Sequence, residues 1–238
     1  MLHRIYVLLI LLSMLNLSAQ EEHISSYNSI NLNYTINKKF SIYAEGQLRS
    51  IADFSYPDHY EIKGGLAYKL PNNHKIMVVI GRYMNYKDHS VDKEEFRIWL
   101  QDAYKLNAGK FEFENRVKLE KSWFYSPQKD EHSGRMRFLY RLNVSVPLNS
   151  AEVKPGTISA NVYDEVYFLL TDQPFFSRNR VFGGFSYQAD QIFSLSAGYL
   201  WQRDLALSGN KNLHYLYLAL GIKLDGSKSR KVKTAKAD

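Results

Sequence analysis

Three histidines stand next to acidic residues in polar stretches of the chain. The segments are Asp58-His59, Asp88-His89-Ser90 and Glu131-His132-Ser133. If these segments lie on one rim of the fold, they could bind a metal ion or form a serine–histidine–acid arrangement of the kind used by proteases, lipases and deacylases. Histidine, aspartate and serine are also ordinary residues of solvated loops, and the spacing does not fix their relative geometry. His59, His89 and His132 are therefore candidate site residues, with solvated loop residues as the alternative.

Charged residues of both signs recur close together along the middle of the chain. The combinations are Glu95 with Arg97, Arg116 with Glu120, and Glu165 with Arg178 and Arg180. General acid or base catalysis needs a carboxylate of shifted pKa, or a nucleophile with a base in reach. An arginine neighbour instead holds a carboxylate in its ionised form. We interpret these residues as a structural ionic network, so the sequence favours a non-catalytic protein and predicts no catalytic, cofactor-binding or metal-binding residue among them.

The overall composition excludes several classes of chemistry. The 238 residues include no cysteine, which removes disulfides and cysteine-based metal or nucleophile chemistry. The formal charge of +7 comes in large part from Ser227–Lys236, which holds five Lys or Arg and no acid. Because the body of the chain is close to balanced without this segment, we expect no nucleic-acid partner.

The first nineteen residues have the order of a secretory signal peptide. A basic start, Met1–Arg4, is followed by the apolar run Ile5–Leu17 and by the small residues Ser18 and Ala19. This order predicts cleavage after Ala19. A permanent membrane anchor, the alternative, needs about 20 apolar residues, whereas this run has 13.

The elements that must position the charged residues are predicted by a period of two along the remaining chain. Between residues 40 and 49 the even positions are Phe40, Ile42, Ala44, Gly46 and Leu48, and the odd positions are Ser41, Tyr43, Glu45, Gln47 and Arg49. Residues 60–70, 111–120 and 135–146 alternate in the same way. A helix would scatter the two sets around its axis, whereas a strand places them on opposite faces. The pattern therefore predicts strands with one apolar and one polar face.

Eleven such segments can be delimited. They lie near residues 27–36, 40–50, 59–70, 75–86, 94–106, 111–124, 135–148, 158–170, 178–188, 192–203 and 212–224. Their connections alternate between short turns and longer polar stretches, as expected of short periplasmic turns and long outer loops. We predict an all-β fold, a transmembrane antiparallel up-and-down β-barrel of 10 to 12 strands over residues 20–224. Because bacterial barrels have even strand numbers, ten or twelve is favoured over eleven.

If the apolar faces contact lipid, the charged faces line the lumen. The predicted lumen residues are Glu45, Arg49, Glu61, Lys63, Arg82, Glu95, Arg97, Glu112, Glu114, Arg116, Lys118, Glu120, Arg135, Arg137, Arg141, Glu165, Arg178 and Arg180. In a narrow barrel, long side chains of opposite charge would bridge the interior and form a structural network. A selective pore for small solutes, with a mixed-charge lining, is the alternative.

Aromatic residues suit a belt at the membrane interface, where amphipathic rings are favoured. The predicted belt comprises Tyr27, Tyr34, Tyr83, Tyr86, Trp99, Trp123, Tyr199, Trp201 and Tyr215. The same residues could occupy the strands of a soluble sandwich, so the belt supports the membrane interpretation without requiring it.

A series of short strings, in order along the chain, resembles one family. They are AEGQLR at Ala44–Arg49, IKGGLAYKL at Ile62–Leu70, a glycine–tyrosine strand end at Gly81–Tyr86, EEFRIWLQ at Glu94–Gln101, ENRVKLEKSW at Glu114–Trp123, RMRFLYRLNVSVPL at Arg135–Leu148, DEVYF at Asp164–Phe168 and SRNRVFGGFSYQ at Ser177–Gln188. Over residues 27–224 the chain resembles the outer-membrane barrels of domain of unknown function 2490, although Lys121-Ser122 replaces the usual second basic position. The resemblance implies a fold and a location, and it transfers no reaction and no functional residue.

The sequence thus predicts an outer-membrane barrel of a Gram-negative bacterium in contact with outer-membrane lipid, with residues 225–238 as a basic, disordered periplasmic tail. Its activity stays open between a structural barrel and a narrow small-solute pore. Two further alternatives are an accessory subunit of a larger outer-membrane secretion or insertion assembly, docked through the tail or an exposed strand face, and an enzyme that acts on lipid or peptide through the histidine-bearing loops. A soluble periplasmic barrel or sandwich is a third.

Overall fold

The computed structural model describes residues 24–50, 54 and 56–227, and in them eleven strands form one closed barrel. The strands are β1 (Ile24–Thr35), β2 (Phe40–Ser50), β3 (Pro57–Lys69), β4 (His74–Lys87), β5 (Ser90–Ala108), β6 (Phe111–Ser126), β7 (Glu131–Pro147), β8 (Ile158–Leu169), β9 (Phe176–Gln188), β10 (Phe193–Asp204) and β11 (Lys211–Asp225). Each strand pairs antiparallel with the next along the chain. This confirms the predicted all-β, up-and-down barrel.

The barrel closes through a parallel pair. β1 and β11 run in the same direction, with Ile24 opposite His214 at one end and Thr35 opposite Asp225 at the other. In an up-and-down barrel, an odd number of strands makes the first and last strands point the same way, so their pairing must be parallel. The described strands number eleven, within the predicted range, and the expectation of an even number is wrong. The expectation of an even strand number was wrong because it assumed that the first and last strands pair antiparallel.

The two ends of the barrel are distinguished by the chain termini they carry. The amino end carries Ile24 and the connections 51–56, 88–89, 127–130, 170–175 and 205–210, and the carboxyl end carries Asp225 and the connections 36–39, 70–73, 109–110, 148–157 and 189–192. Both ends mix short and longer connections, so the predicted asymmetry of loop lengths is wrong. The beginning of β1 lies at the end that was predicted to carry the long loops.

The hairpin between β4 and β5 shows why the loops were overestimated. The predicted loop 87–93 is a two-residue turn in which Asp88 and His89 both have positive φ, 49° and 61°. Such a backbone matches the twist of the flanking strands in tight hairpins. Near this turn both faces of β4 and β5 become polar, so the alternation of apolar and polar residues ends. The backbone pairing of the two strands nevertheless continues through Lys87 and Ser90.

The barrel is apolar outside and polar inside. Large apolar side chains such as Ile62, Leu66 and Leu218 are more than half exposed on the outer face. Inside, Glu120 and Glu165 are each only 2% exposed. This arrangement is the reverse of a water-soluble fold, in which apolar side chains are buried and ionised ones face solvent.

Two apolar clusters lie within this polar interior. One contains Ala67, Met77, Val79 and Trp99, and the other contains Phe182, Leu200 and Tyr215. The ring of Phe182 packs over Gly184 of its own strand β9 and over Gly198 of the neighbouring strand β10. A Cβ added at Gly198 would lie 2.7 Å from the Phe182 ring and 2.5 Å from a backbone oxygen. The close approach of this ring to the barrel wall therefore requires glycine at position 198.

Four of the nine predicted belt aromatics lie inside the barrel. Tyr83, Trp99 and Tyr215 are buried, and Tyr27 lines the central cavity. Trp123 and Tyr199 are exposed on the outer face as predicted. The error arises in strands such as β4, whose two faces are both largely apolar, because alternation cannot then assign a side chain to the lumen or to the outside.

Two predicted segments fall beyond the part of the chain that the structure describes. These are the signal peptide, residues 1–19, and residues 228–238 of the basic tail. Among the described residues, no helix has both the length and the apolar character needed to cross a membrane.

Candidate functional site

A cavity of about 1240 Å³ occupies the interior of the barrel. It reaches from Lys39 and Lys223 at the carboxyl end to His59, Lys93 and Arg178 near the amino end. Seventeen of the eighteen predicted lumen residues line it. They are Glu45, Arg49, Glu61, Lys63, Glu95, Arg97, Glu112, Glu114, Arg116, Lys118, Glu120, Arg135, Arg137, Arg141, Glu165, Arg178 and Arg180.

Arg82 is the exception and lies on the outer face. Its side chain is 61% exposed and forms an ion pair with Glu94. In the register Arg82 stands opposite Ile62 and Phe96, both of which point outward. The prediction for Arg82 is wrong because β4 has apolar residues on both faces, so a charged residue could not be assigned to the lumen by its neighbours.

The first ionic cluster of the lumen is centred on Glu61 of β3. Its carboxylate accepts hydrogen bonds from Arg49 at 2.6 Å and from Lys63 at 2.7 Å, and lies 2.8 Å from His59 Nε2. Lys63 also lies 2.9 Å from Glu45. The cluster joins β2 to β3 and keeps each of its carboxylates beside a cation.

A second cluster is centred on Glu120 of β6. Arg137 donates to its carboxylate at 2.6 Å, and Arg97 Nη1 and Lys118 Nζ approach to 3.8 Å and 3.7 Å. Arg97 also donates to Glu95 at 2.6 Å. Three consecutive strands, β5, β6 and β7, are therefore linked through one buried carboxylate.

The third cluster is centred on Glu165 of β8. Arg141 lies 2.8 Å from its carboxylate, Arg180 lies 3.7 Å away, and the Tyr167 hydroxyl donates to it. Arg180 also donates to Gln202 Oε1 at 2.6 Å. Gln202 was not among the predicted lumen residues.

Asp204, next to Gln202 on the lumen face of β10, was missed as well. It accepts a hydrogen bond from Arg178 Nη2 at 2.9 Å. The predicted strand ended at residue 203, yet the period of two from Ser196 through Gly198 and Leu200 would have placed both residues inside.

Aromatic rings support several of the lumen cations. Arg97 lies over the Tyr83 ring at 4.0 Å, Arg141 over Tyr163 at 4.0 Å, and Arg49 over Tyr27 at 4.5 Å. Lys118 lies over Trp99 at 4.3 Å. A ring face attracts a cation most strongly where water is excluded. These four rings therefore belong to the ionic network and stabilise its positive members.

The charges that line the cavity are unequal. Seventeen lysines and arginines face seven glutamates, so the lining has an excess of positive charge. Seven of the cations were not among the predicted lumen residues: Lys38, Lys39, Lys69, Lys75, Lys93, Lys105 and Lys223. Most of them lie toward the carboxyl end, where the strands leave the apolar belt. The lumen is therefore cationic, although its central part is mixed in sign.

The three histidines each have a different environment. His59 points into the lumen, where Nδ1 contacts Asn85 and Nε2 contacts Glu61. His89 packs on Tyr56 with ring centroids 4.8 Å apart, and His132 stacks on Tyr125 at 4.7 Å. Over the described ranges, no group of three or more His, Cys, Asp or Glu side chains is placed to hold a metal ion. The three histidines therefore form no metal site among the described residues.

Comparison of the sequence with known protein families gives a match. The profile of a family described as "Protein of unknown function (DUF2490)" matches residues 24–212. No curated protein matches the chain. The matched segment contains β1–β10 and the three ionic clusters.

Proposed function

Since the chain belongs to the family of proteins of unknown function DUF2490, we propose that it is an outer-membrane β-barrel with a narrow lumen that passes small anions, and that it is not an enzyme. The observation that carries this proposal is the cavity in the barrel interior, which seventeen cations and seven carboxylates of the described residues line.

The outer surface supports a location in a membrane. A closed barrel satisfies its backbone hydrogen bonds internally, which is what a spanning structure requires. The exposed apolar side chains of β3, β4 and β11, among them Ile62, Ile80 and Leu218, suit contact with lipid hydrocarbon. The predicted signal peptide over residues 1–19, which lies outside the described residues, agrees with export to the outer membrane.

The excess of positive charge supports a preference for anions. Fixed charge in a cavity with low-dielectric walls raises the local concentration of counter-ions. The carboxylates of the three clusters are already engaged by arginine or lysine, for example Glu120 by Arg137 and Glu165 by Arg141. The net field along the cavity is therefore set by the remaining cations, and anions are the mobile ions that it attracts.

The side chains that fill the interior support a narrow passage through the barrel. Paired side chains such as Arg49 and Glu61 extend from the wall and occupy the lumen. In a barrel of this strand number, interior side chains fill much of the cross-section. We therefore propose passage of small solutes and exclude a wide general porin from the proposal.

Conductance in a planar lipid bilayer tests the proposed function. Purified barrel should produce discrete current steps, and in a KCl gradient the reversal potential should have the sign of a chloride-preferring path. Absence of current steps from correctly folded protein would show a closed scaffold, and a potassium-preferring reversal potential would contradict the proposed role of the cations. Cell fractionation with a high-salt wash tests the location separately, because a membrane-spanning barrel stays in the outer-membrane fraction.

A further inference from the structure

One row of the lumen combines two cations with a small residue between them. In the register Lys75 of β4 stands opposite Ala103 of β5, and Ala103 stands opposite Arg116 of β6. All three line the cavity. Ala103, which is 7% exposed, has the shortest side chain of the three, and the two longer side chains flank it on the lumen wall. We call these three residues the Lys75–Arg116 row.

The positive charge of this row exceeds what its neighbours neutralise. Glu114 accepts a hydrogen bond from Arg116 at 2.8 Å and also lies 3.7 Å from Lys105. Among the described residues, no carboxylate lies within ion-pair distance of Lys75. Lys105, Arg116 and Lys223 act on Lys75 repulsively, and Glu114 acts on it attractively. The row therefore carries a lysine without a partner carboxylate beside an arginine that has one.

Arg116 also has a free donor. Its Nε is buried and has no hydrogen-bond partner within the described structure. Leaving a buried donor of a charged group unpaired is unfavourable by more than the loss of an ordinary hydrogen bond. An acceptor of negative charge beside Ala103 would neutralise Lys75, and a turn of the Arg116 side chain toward it would give this donor a partner.

The donor set indicates the chemical class of that acceptor. A lysine ammonium binds phosphate as a compact point charge, and an arginine guanidinium donates to two oxygens of one oxyanion. A phosphate monoester carries close to two negative charges at neutral pH, which matches one partnerless lysine and one partly neutralised arginine. We propose that the Lys75–Arg116 row is a binding site for a small organic phosphate that enters from the carboxyl end.

The proposal rests on the proposed anion-favouring lumen, because the ligand reaches the row through the same cavity. Its test needs no membrane potential. Trp99 lines this cavity and is 5% exposed, whereas the other two tryptophans, Trp123 and Trp201, lie on the outer face. In a W123F/W201F background Trp99 is the single tryptophan of the chain, so its fluorescence in detergent-solubilised full-length protein reports events in the lumen.

The probe is glucose 6-phosphate, with inorganic phosphate, glucose and sodium sulfate in parallel titrations. Glucose 6-phosphate should change the Trp99 fluorescence saturably, and inorganic phosphate should bind at the same site. Lys75→Gln should weaken binding about tenfold, the loss expected for one charged hydrogen-bonding partner. Lys87→Gln, at the exposed last residue of the same strand β4, is the matched control and should bind as the background protein does.

The proposal would be overturned by the absence of a saturable change, by an equal response to glucose, or by an equal loss in Lys75→Gln and Lys87→Gln. An equal response to sulfate would show general screening and would also contradict a phosphate site.

Isothermal titration calorimetry repeats the measurement for barrels whose folding is verified by heat-modifiable gel migration. A barrel that binds the phosphate without conducting contradicts only the proposed pore, and one that conducts chloride without binding contradicts only this site.

Discussion

Glu120 and Arg137 stand directly opposite each other on β6 and β7, with the Arg137 Nη2 donor 2.6 Å from the Glu120 carboxylate. Both side chains are at most 5% exposed. Arg97 of β5 approaches the same carboxylate oxygen to 3.8 Å. One buried carboxylate thus lies beside cations from both neighbouring strands, and its removal would leave Arg137 without its ion-pair partner and Arg97 with Glu95 alone.

Glu120→Gln should destabilise the folded barrel by about 3 kcal/mol, because breaking a buried ion pair leaves an uncompensated buried charge. Urea-induced unfolding in lipid vesicles measures the change. Glu94→Gln is the matched control, since Glu94 pairs with the largely exposed Arg82 on the outer face and exposed pairs contribute less than about 1 kcal/mol. Equal midpoints for the two variants would contradict the structural role of Glu120.

Leu218→Arg should oppose insertion into a bilayer. Leu218 lies on the outer face of β11 and is 55% exposed, and an arginine at mid-bilayer depth costs about 3 kcal/mol. Leu207→Arg, in the 205–210 connection where Leu207 is 83% exposed, introduces the same residue outside the belt. Folding yields and urea midpoints in phosphatidylcholine vesicles compare the two. If both variants insert equally well, the outer face does not contact lipid.

Gly198→Ala should destabilise the barrel by about 2 kcal/mol, as expected for overpacking. The added methyl group would meet both the Phe182 ring and the backbone oxygen of Gly183. Gly46→Ala, on β2, adds the same group where nothing lies within 4 Å, and we expect little change. Thermal unfolding followed by circular dichroism distinguishes the two, and a Gly198→Ala barrel as stable as Gly46→Ala would argue against the packing of Phe182 over the wall.

Reversing charge at the carboxyl end should reduce the anion preference of the proposed pore. Lys39, Lys69 and Lys223 line the cavity there, and the triple variant K39E/K69E/K223E should move the reversal potential in a KCl gradient toward that of potassium, because a cationic mouth attracts chloride. The control K87E/K129E/K211E changes the same number of lysines, all exposed and none of them lining the cavity. Equal shifts in the two triple variants would mean that only the total charge of the protein matters.

The period of two was sufficient to predict the class of fold and most of the lumen. Side chains of a strand alternate between its faces whatever the strand pairs with, so residues 40–49 and 111–120 reveal an apolar and a charged face locally. The inward position of Glu120 follows from its own strand alone. Where both faces are apolar, as around Arg82, or both are polar, as at Asp88 and His89, the local pattern carries no such information, and the predicted faces and loop lengths failed there.

Closure, pairing and net charge of the lumen depend on contacts between distant segments. The parallel seam joins Ile24 to His214, and the Lys75–Arg116 row exists only because the register of β4, β5 and β6 places both cations beside Ala103. Strand register is set by pairing and turn geometry across the whole sheet. The sequence by itself therefore determined a barrel with charged residues inside, and only the tertiary structure decided which charges are paired, which lack a partner, and that cations are in excess.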